Sequence, residues 1–236
     1  MSDDNLVGVS RRRALAGLAA AGAAGTVFAS GRPALAAPNM CVLTPRAIQG
    51  PFYFDPKLVR GDIAEGKPGA PLRLRLKLVE ARTCAPIEGA RIDVWHADGL
   101  GLYSGYAHQG DSGTASTRGE TFLRGSQTTD VGGEIAFTTI YPGWYPTRAP
   151  HVHFKIFLDR RSLLTGQMYF PDAVSDVVYR SARPYSDRVK RDTTNATDGV
   201  LRATRGGAST ICEMSQEADR YQAFLQIGVD REKSRG

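Results

Sequence analysis

Leu72-Arg73-Leu74-Arg75-Leu76-Lys77-Leu78-Val79 sets an apolar side chain at every second position and a cation between each pair. Successive side chains of an extended chain point to opposite faces, so this stretch reads as a β-strand with one buried and one solvated face. The same alternation returns in Ala90–Trp95, Glu134–Thr138 and His151–Leu158. Thr83-Cys84-Ala85-Pro86 and Asp130-Val131-Gly132-Gly133 supply turns between them. Short strands punctuated this often predict an all-β domain, an antiparallel β-sandwich of mixed topology. Helix is expected only over 215–224. Residues 99–124 and 159–205, rich in Gly, Ser, Thr, Asp and Arg, are expected as long loops, which on a compact scaffold usually carry function.

The start of the chain reads differently. Ser10-Arg11-Arg12-Arg13 precedes an uncharged run over 14–30 and the small-x-small site Ala34-Leu35-Ala36. A basic start, an apolar middle and such an end read as an export signal over 1–36, and the paired arginines resemble the twin-arginine type. The domain expected is therefore 37–236, in a periplasmic or extracellular setting, with no membrane contact once the signal is removed. The formal charge is +6. Its Lys and Arg are scattered rather than interleaved with aromatics in a stripe, which argues against nucleic acid. Export makes one disulfide among Cys41, Cys84 and Cys212 reasonable; Cys41–Cys84 is the pairing expected, although spacing alone leaves others open.

The chemistry is anchored at His151-Val152-His153, which holds two of the four histidines. In a strand both imidazoles share one face while Val152 packs on the other. Tyr145 lies six residues upstream, with Arg148 between, and Tyr103 ends a Gly-rich turn after Trp95. Tyrosinate is a hard anionic donor. Two tyrosinates with two imidazoles suit ferric iron better than softer ions.

The stretches Val94-Trp95-His96-Ala97-Asp98-Gly99-Leu100-Gly101-Leu102-Tyr103-Ser104 and Tyr145-Pro146-Thr147-Arg148-Ala149-Pro150-His151-Val152-His153-Phe154 resemble the signature segments of intradiol ring-cleavage dioxygenases. Ile48-Gln49-Gly50-Pro51-Phe52-Tyr53 and Gln167-Met168-Tyr169-Phe170 resemble two further segments of that family, in the same order along the chain. The resemblance implies a sandwich with long active-site loops and Fe(3+) bound by Tyr103, Tyr145, His151 and His153. Tyr103 would stay bound while Tyr145 is displaced by substrate, and Arg148 and Gln167 would stand beside the substrate. It implies cleavage of a catecholic small molecule with O2 between the hydroxylated carbons, giving a cis,cis-muconate-type product. The family's long dimerising linker is missing before Cys41, so the chain looks closer to the protocatechuate type or to compact exported relatives; the Tyr145–His151 spacing is shorter than in protocatechuate enzymes, which sets the substrate loop apart from theirs.

Several residues have plainer readings. Trp95 and Trp144 are expected as core or rim aromatics. His96, opposite in phase to Trp95, is expected at the surface and not as a ligand. His108 is expected in a solvated loop, with Tyr53 and Tyr106 bordering the site. Arg160, Arg161, Arg180 and Arg183 read as solvated charges. Two rival functions remain open. One is a zinc or cupin-like enzyme using His151 and His153 with His96 or His108; no Glu follows the histidine pair at cupin spacing. The other is a non-catalytic transthyretin-like module, suggested by Cys84–Ala90 and Gly132–Ile135. Neither oligomeric state nor the particular catechol is specified.

Overall fold

The computed structural model describes residues 41–55, 57–110, 112–188 and 190–232. The export signal expected over 1–36 lies outside them. Eight strands are present: β1 Pro71–Glu80, β2 Arg91–His96, β3 Arg124–Thr128, β4 Glu134–Ile140, β5 His151–Leu158, β6 Arg161–Tyr169, β7 Glu213–Gln216 and β8 Tyr221–Val229. They form two four-stranded sheets, in order β4-β1-β8-β7 and β3-β2-β5-β6. All named pairings are antiparallel except β1 with β8, which run parallel. The all-β sandwich is as expected.

The leucine alternation explains how the sheets meet. Leu72, Leu74, Leu76 and Leu78 are at most 1% exposed and join one core with Val94, Phe137, Val152, Phe154, Ile156 and Ile227. Each such side chain withdrawn from water contributes roughly 2 kcal/mol. Because Val152, Phe154 and Ile156 face that core, His151 and His153 must face the outer side of the second sheet. The long loops gather there.

Three expectations fail. The segment 215–224 is not helical: it is split between β7 and β8. Ala223, Leu225 and Ile227 supply a period-two inward face, and nine-residue pairing with β1 outweighs the helix-like Ser215–Arg220 prelude. The segment 159–205 is not one loop either, since it contains β6 and two helices, α1 (Asp172–Ser181) and α2 (Gly199–Ala203). His96 is buried rather than exposed, because the side of β2 opposite Trp95 is the interior one. The expected disulfide Cys41–Cys84 is formed, and Cys212 is a buried free thiol.

Candidate active site

β5 presents His151 and His153 on the outer face, and antiparallel register sets Tyr169 opposite His151 and Gln167 opposite His153. On the other flank Trp95 of β2 is the cross-strand partner of His153 and stacks on its ring at 4.9 Å and 8°. Tyr145 and Arg148 are brought together by a four-residue turn. Pro146 occupies its second position, and Thr147 has φ +71° in its third, a conformation a β-branched residue rarely adopts. Tyr103 reaches in from the loop after β2. Gln109 accepts from its backbone N–H at 2.8 Å and donates to its carbonyl at 2.7 Å, and Phe52 stacks on its ring at 4.5 Å.

Four donor atoms converge. His151 Nε2 lies 3.3 Å from the Tyr103 oxygen, 3.2 Å from the Tyr145 oxygen and 3.1 Å from His153 Nε2. The two phenol oxygens are 3.5 Å apart. His151 Nδ1 donates to the Ala149 carbonyl at 2.7 Å, which fixes the tautomer and leaves the Nε2 lone pair pointing into the cluster. Four lone-pair atoms at such separations are what bonds of roughly 2.1 Å to one ion, spread over ordinary coordination angles, produce. The set therefore fits a single metal ion. Two phenols among the donors favour a hard, highly charged one.

Burial tunes these groups in the metal-free protein. It pushes the Tyr103 phenol well above its ordinary range, with Tyr145 adding in the same direction. It lowers His151 to about 3, helped by the Arg148 charge, and depresses His153 too, with the neighbouring His151 contributing. The histidines are thus ready as neutral ligands, while the phenols give up a proton only to a strong cation.

Arg148 sits against this cluster. It donates from Nη1 to the Tyr145 oxygen at 3.3 Å, from Nη2 to Gln167 Oε1 and to the Tyr169 oxygen at 2.9 Å, and from Nε to Asp198 Oδ2 at 2.9 Å. Gln167 is itself tied to the Ile48 carbonyl at 2.8 Å. Asp198, fully buried, also accepts from Ala149 N at 2.8 Å and from the first turn of α2 at Val200 and Leu201. Sequence reading missed it, since nothing in spacing ties residue 198 to residue 148.

The remaining expectations resolve as follows. Trp95 and Trp144 are buried. Tyr53 and Tyr106 border the site: the Tyr106 hydroxyl donates to the Tyr53 carbonyl, and both rings pack with Tyr103 and Phe52. His108 is exposed. His96 donates from Nδ1 to the Ala97 carbonyl and accepts at Nε2 from Thr139, so it is turned away from His151. No group of three or more His, Cys, Asp or Glu that could hold a metal is found among the described residues, and His96, turned away, does not join His151 and His153.

A family model described as "Dioxygenase" matches residues 48–185. The protocatechuate 3,4-dioxygenase beta chain of Burkholderia cepacia is 35% identical over 94 residues, 36% of this chain and 39% of its own length. The chlorocatechol 1,2-dioxygenase of Pseudomonas sp. strain P51 is 32% identical over 145 residues, 52% of this chain and 54% of its own. The matches thus span about half or less of these curated relatives. Among solved structures, an intradiol ring-cleavage dioxygenase from Tetranychus urticae is similar at 30% identity and a TM-score of 0.73, over 80% of this chain and 95% of that one.

Proposed function

The chain belongs to the intradiol ring-cleavage dioxygenase family, and on that premise we propose that it opens a catechol-type ring between its two hydroxylated carbons. The reading includes a ferric ion held by Tyr103, Tyr145, His151 and His153. Its main support is the convergence of both phenol oxygens and the His153 Nε2 within 3.3 Å of His151 Nε2, with the two phenol oxygens 3.5 Å apart. When bound, the ion would supply Lewis acidity towards the diol oxygens.

The protein groups divide the remaining work. Tyr103, buried, stacked under Phe52 and pinned by Gln109, would be the more firmly held of the two phenols. Tyr145, partly exposed, would be the more accessible of the two phenols holding the ion, and its oxygen would accept a proton from the incoming diol. Arg148, already on that oxygen, offsets the negative charge of the deprotonated ring. Gln167 and Asp198 hold the guanidinium in that pose. Atoms and electrons balance without an external reductant: both atoms of O2 enter the product, the bond between the two hydroxylated carbons breaks, and two carboxyl groups result.

Iron-loaded protein should be red-brown from tyrosinate-to-iron charge transfer. Given a panel of catechols, it should consume oxygen and yield diacids heavier by two oxygen atoms. Tyr103→Phe and His153→Ala should each lose iron or the visible band. Full colour and turnover in both variants would sink the assignment. We further propose that the protein is exported; the signal-like residues 10–36 and the Cys41–Cys84 disulfide, which suits an oxidising compartment, support this. Recovery of a processed chain outside the cytoplasm would test it.

A further inference from the structure

The outer face of the second sheet carries one row of cross-strand partners: Arg124 on β3, Trp95 on β2, His153 on β5 and Gln167 on β6. Arg124 starts that row and is 1% exposed. Its Nε donates to Ser104 Oγ at 2.7 Å and its Nη2 to the Ser104 carbonyl at 2.9 Å, while Nη1, also buried, has no hydrogen-bond partner. Ser104 Oγ donates onward to the Phe122 carbonyl at 2.7 Å. The guanidinium lies 4.3 Å from the centre of the Phe54 ring and 5.7 Å from that of Tyr106. Three successive residues, Phe52, Tyr53 and Phe54, thus cover Tyr103, Trp95 and Arg124 in turn.

A buried cation is costly unless something offsets it, and two aromatic faces offset only part of that cost. The groups whose charge acts on Arg124 are the Tyr106 and Tyr103 phenols; no carboxylate is among them. In return the Arg124 charge favours the anionic form of Tyr103. Arg124 meets Tyr103 through the backbone of the next residue, and neither of its two bonding nitrogens reaches the four donor atoms. Nor does it line the cleft beside Tyr145. Its charge therefore stands behind the Tyr103 phenol, on the main-chain side.

We propose that Arg124 is a positioning residue for Tyr103. It ties the loop carrying that ligand to β3 and holds a fixed positive charge behind the phenol, which sets how readily the ligand gives electron density to the metal. The proposal rests on the ferric site proposed above.

The test reads the tyrosinate-to-iron band. Moving an electron from Tyr103 to iron leaves the ring more positive, which a nearby cation opposes. In iron-loaded Arg124→Gln the band should therefore move to longer wavelength than in wild type, and kcat/KM should fall about tenfold, as for loss of an outer partner at a metal site. Arg124→Lys keeps a charge without the two-pronged grip and should hold the band near its wild-type position. Phe54→Leu, which opens the guanidinium to water, should move the band in the same direction as Arg124→Gln but less far. A merely structural role would lower the denaturant midpoint of both Arg124 variants and leave the band in place. That result, or equal band shifts in Arg124→Gln and Arg124→Lys, would overturn the proposal while leaving ring cleavage intact. If Arg124→Gln fails to fold or to load iron, Phe54→Leu decides: a band at longer wavelength supports the proposal and an unmoved one overturns it. Wild-type protein that binds iron and stays colourless would remove the ferric reading and this one with it.

Discussion

Asp198 shows how one side chain sets the pose of a reactive one. One of its oxygens caps α2, and the other binds both the Arg148 guanidinium and the Ala149 N–H. The Ala149 carbonyl in turn orients His151. Burial pushes the Asp198 carboxyl up, but the Leu201 N–H, the Arg148 charge and the Ala149 N–H outweigh it and hold the group below the ordinary carboxylate range. Asp198→Asn keeps one acceptor oxygen for the helix cap but turns an amide donor towards Arg148 and the Ala149 N–H, and loses the charge that locks Arg148. Its kcat/KM should fall about 10- to 100-fold, the usual cost of losing an outer partner at a metal site, with iron content and the visible band retained. Unchanged kcat/KM would show that Arg148 needs no such lock. Asp198→Ala should be worse, because it leaves a largely buried guanidinium unpaired at a cost of about 3–5 kcal/mol. Denaturant titration would register that loss.

At the scale of elements, the arm over 41–55 links the disulfide to the site. Cys41 N–H bonds the Ala81 carbonyl, Thr44 pairs with Gly228, and Ala47 N–H bonds Thr165. The arm then delivers the Ile48 carbonyl to Gln167 and Phe52 to the face of Tyr103. The Cys41–Cys84 bridge closes a sequence separation of 43 residues, and removing such a constraint typically costs about 2–4 kcal/mol. Replacing both cysteines by serine should lower the melting midpoint accordingly and raise KM, since Phe52 stacks on Tyr103 and lines the cleft beside Tyr145. An unchanged KM would mean the arm is held by its backbone bonds alone. This is also the scale at which sequence reading succeeded and failed. Strands with one wet face, such as β1, announced themselves by alternation. β6 did not, because Leu163 and Leu164 are both buried and its tail from Gly166 to Tyr169 is buried on both faces. α1 carries a helical pair in Val174 and Val178, but its polar remainder resembles loop composition. The four converging side chains were legible because an H-x-H strand is a local signal and because Tyr103 and Tyr145 lie in segments that resemble the family's, although Tyr103 is 48 positions from His151. Asp198 was not, since its partner lies 50 positions away and only the packing of α2 brings them together.

Burial keeps three imidazoles across the molecule, His96, His151 and His153, neutral, and this couples folding to pH. His96 is sealed between the sheets; burial lowers it to about 4, against a favourable bond to the Ala97 carbonyl. His151 is lowered to about 3 for the same main reason. In the unfolded chain both titrate near 6.5. A group whose folded pKa is depressed contributes full stability above its unfolded pKa and loses it as pH falls towards the folded value. For His96 alone that is about 3 kcal/mol between pH 6.5 and 4, since each unit is worth about 1.4 kcal/mol. Asp198 acts in the same sense at lower pH, because its carboxyl is also depressed. Metal-free protein should therefore lose stability steadily from pH 7 to pH 4.5, as read by denaturant midpoints. His96→Gln, which keeps an amide donor for Ala97 and an acceptor for Thr139 but cannot gain a proton, should be less stable at pH 7 and flatter in its pH response. Equal slopes in the variant and the wild type would place the acid sensitivity elsewhere, leaving His151, His153 and Asp198 as its sources.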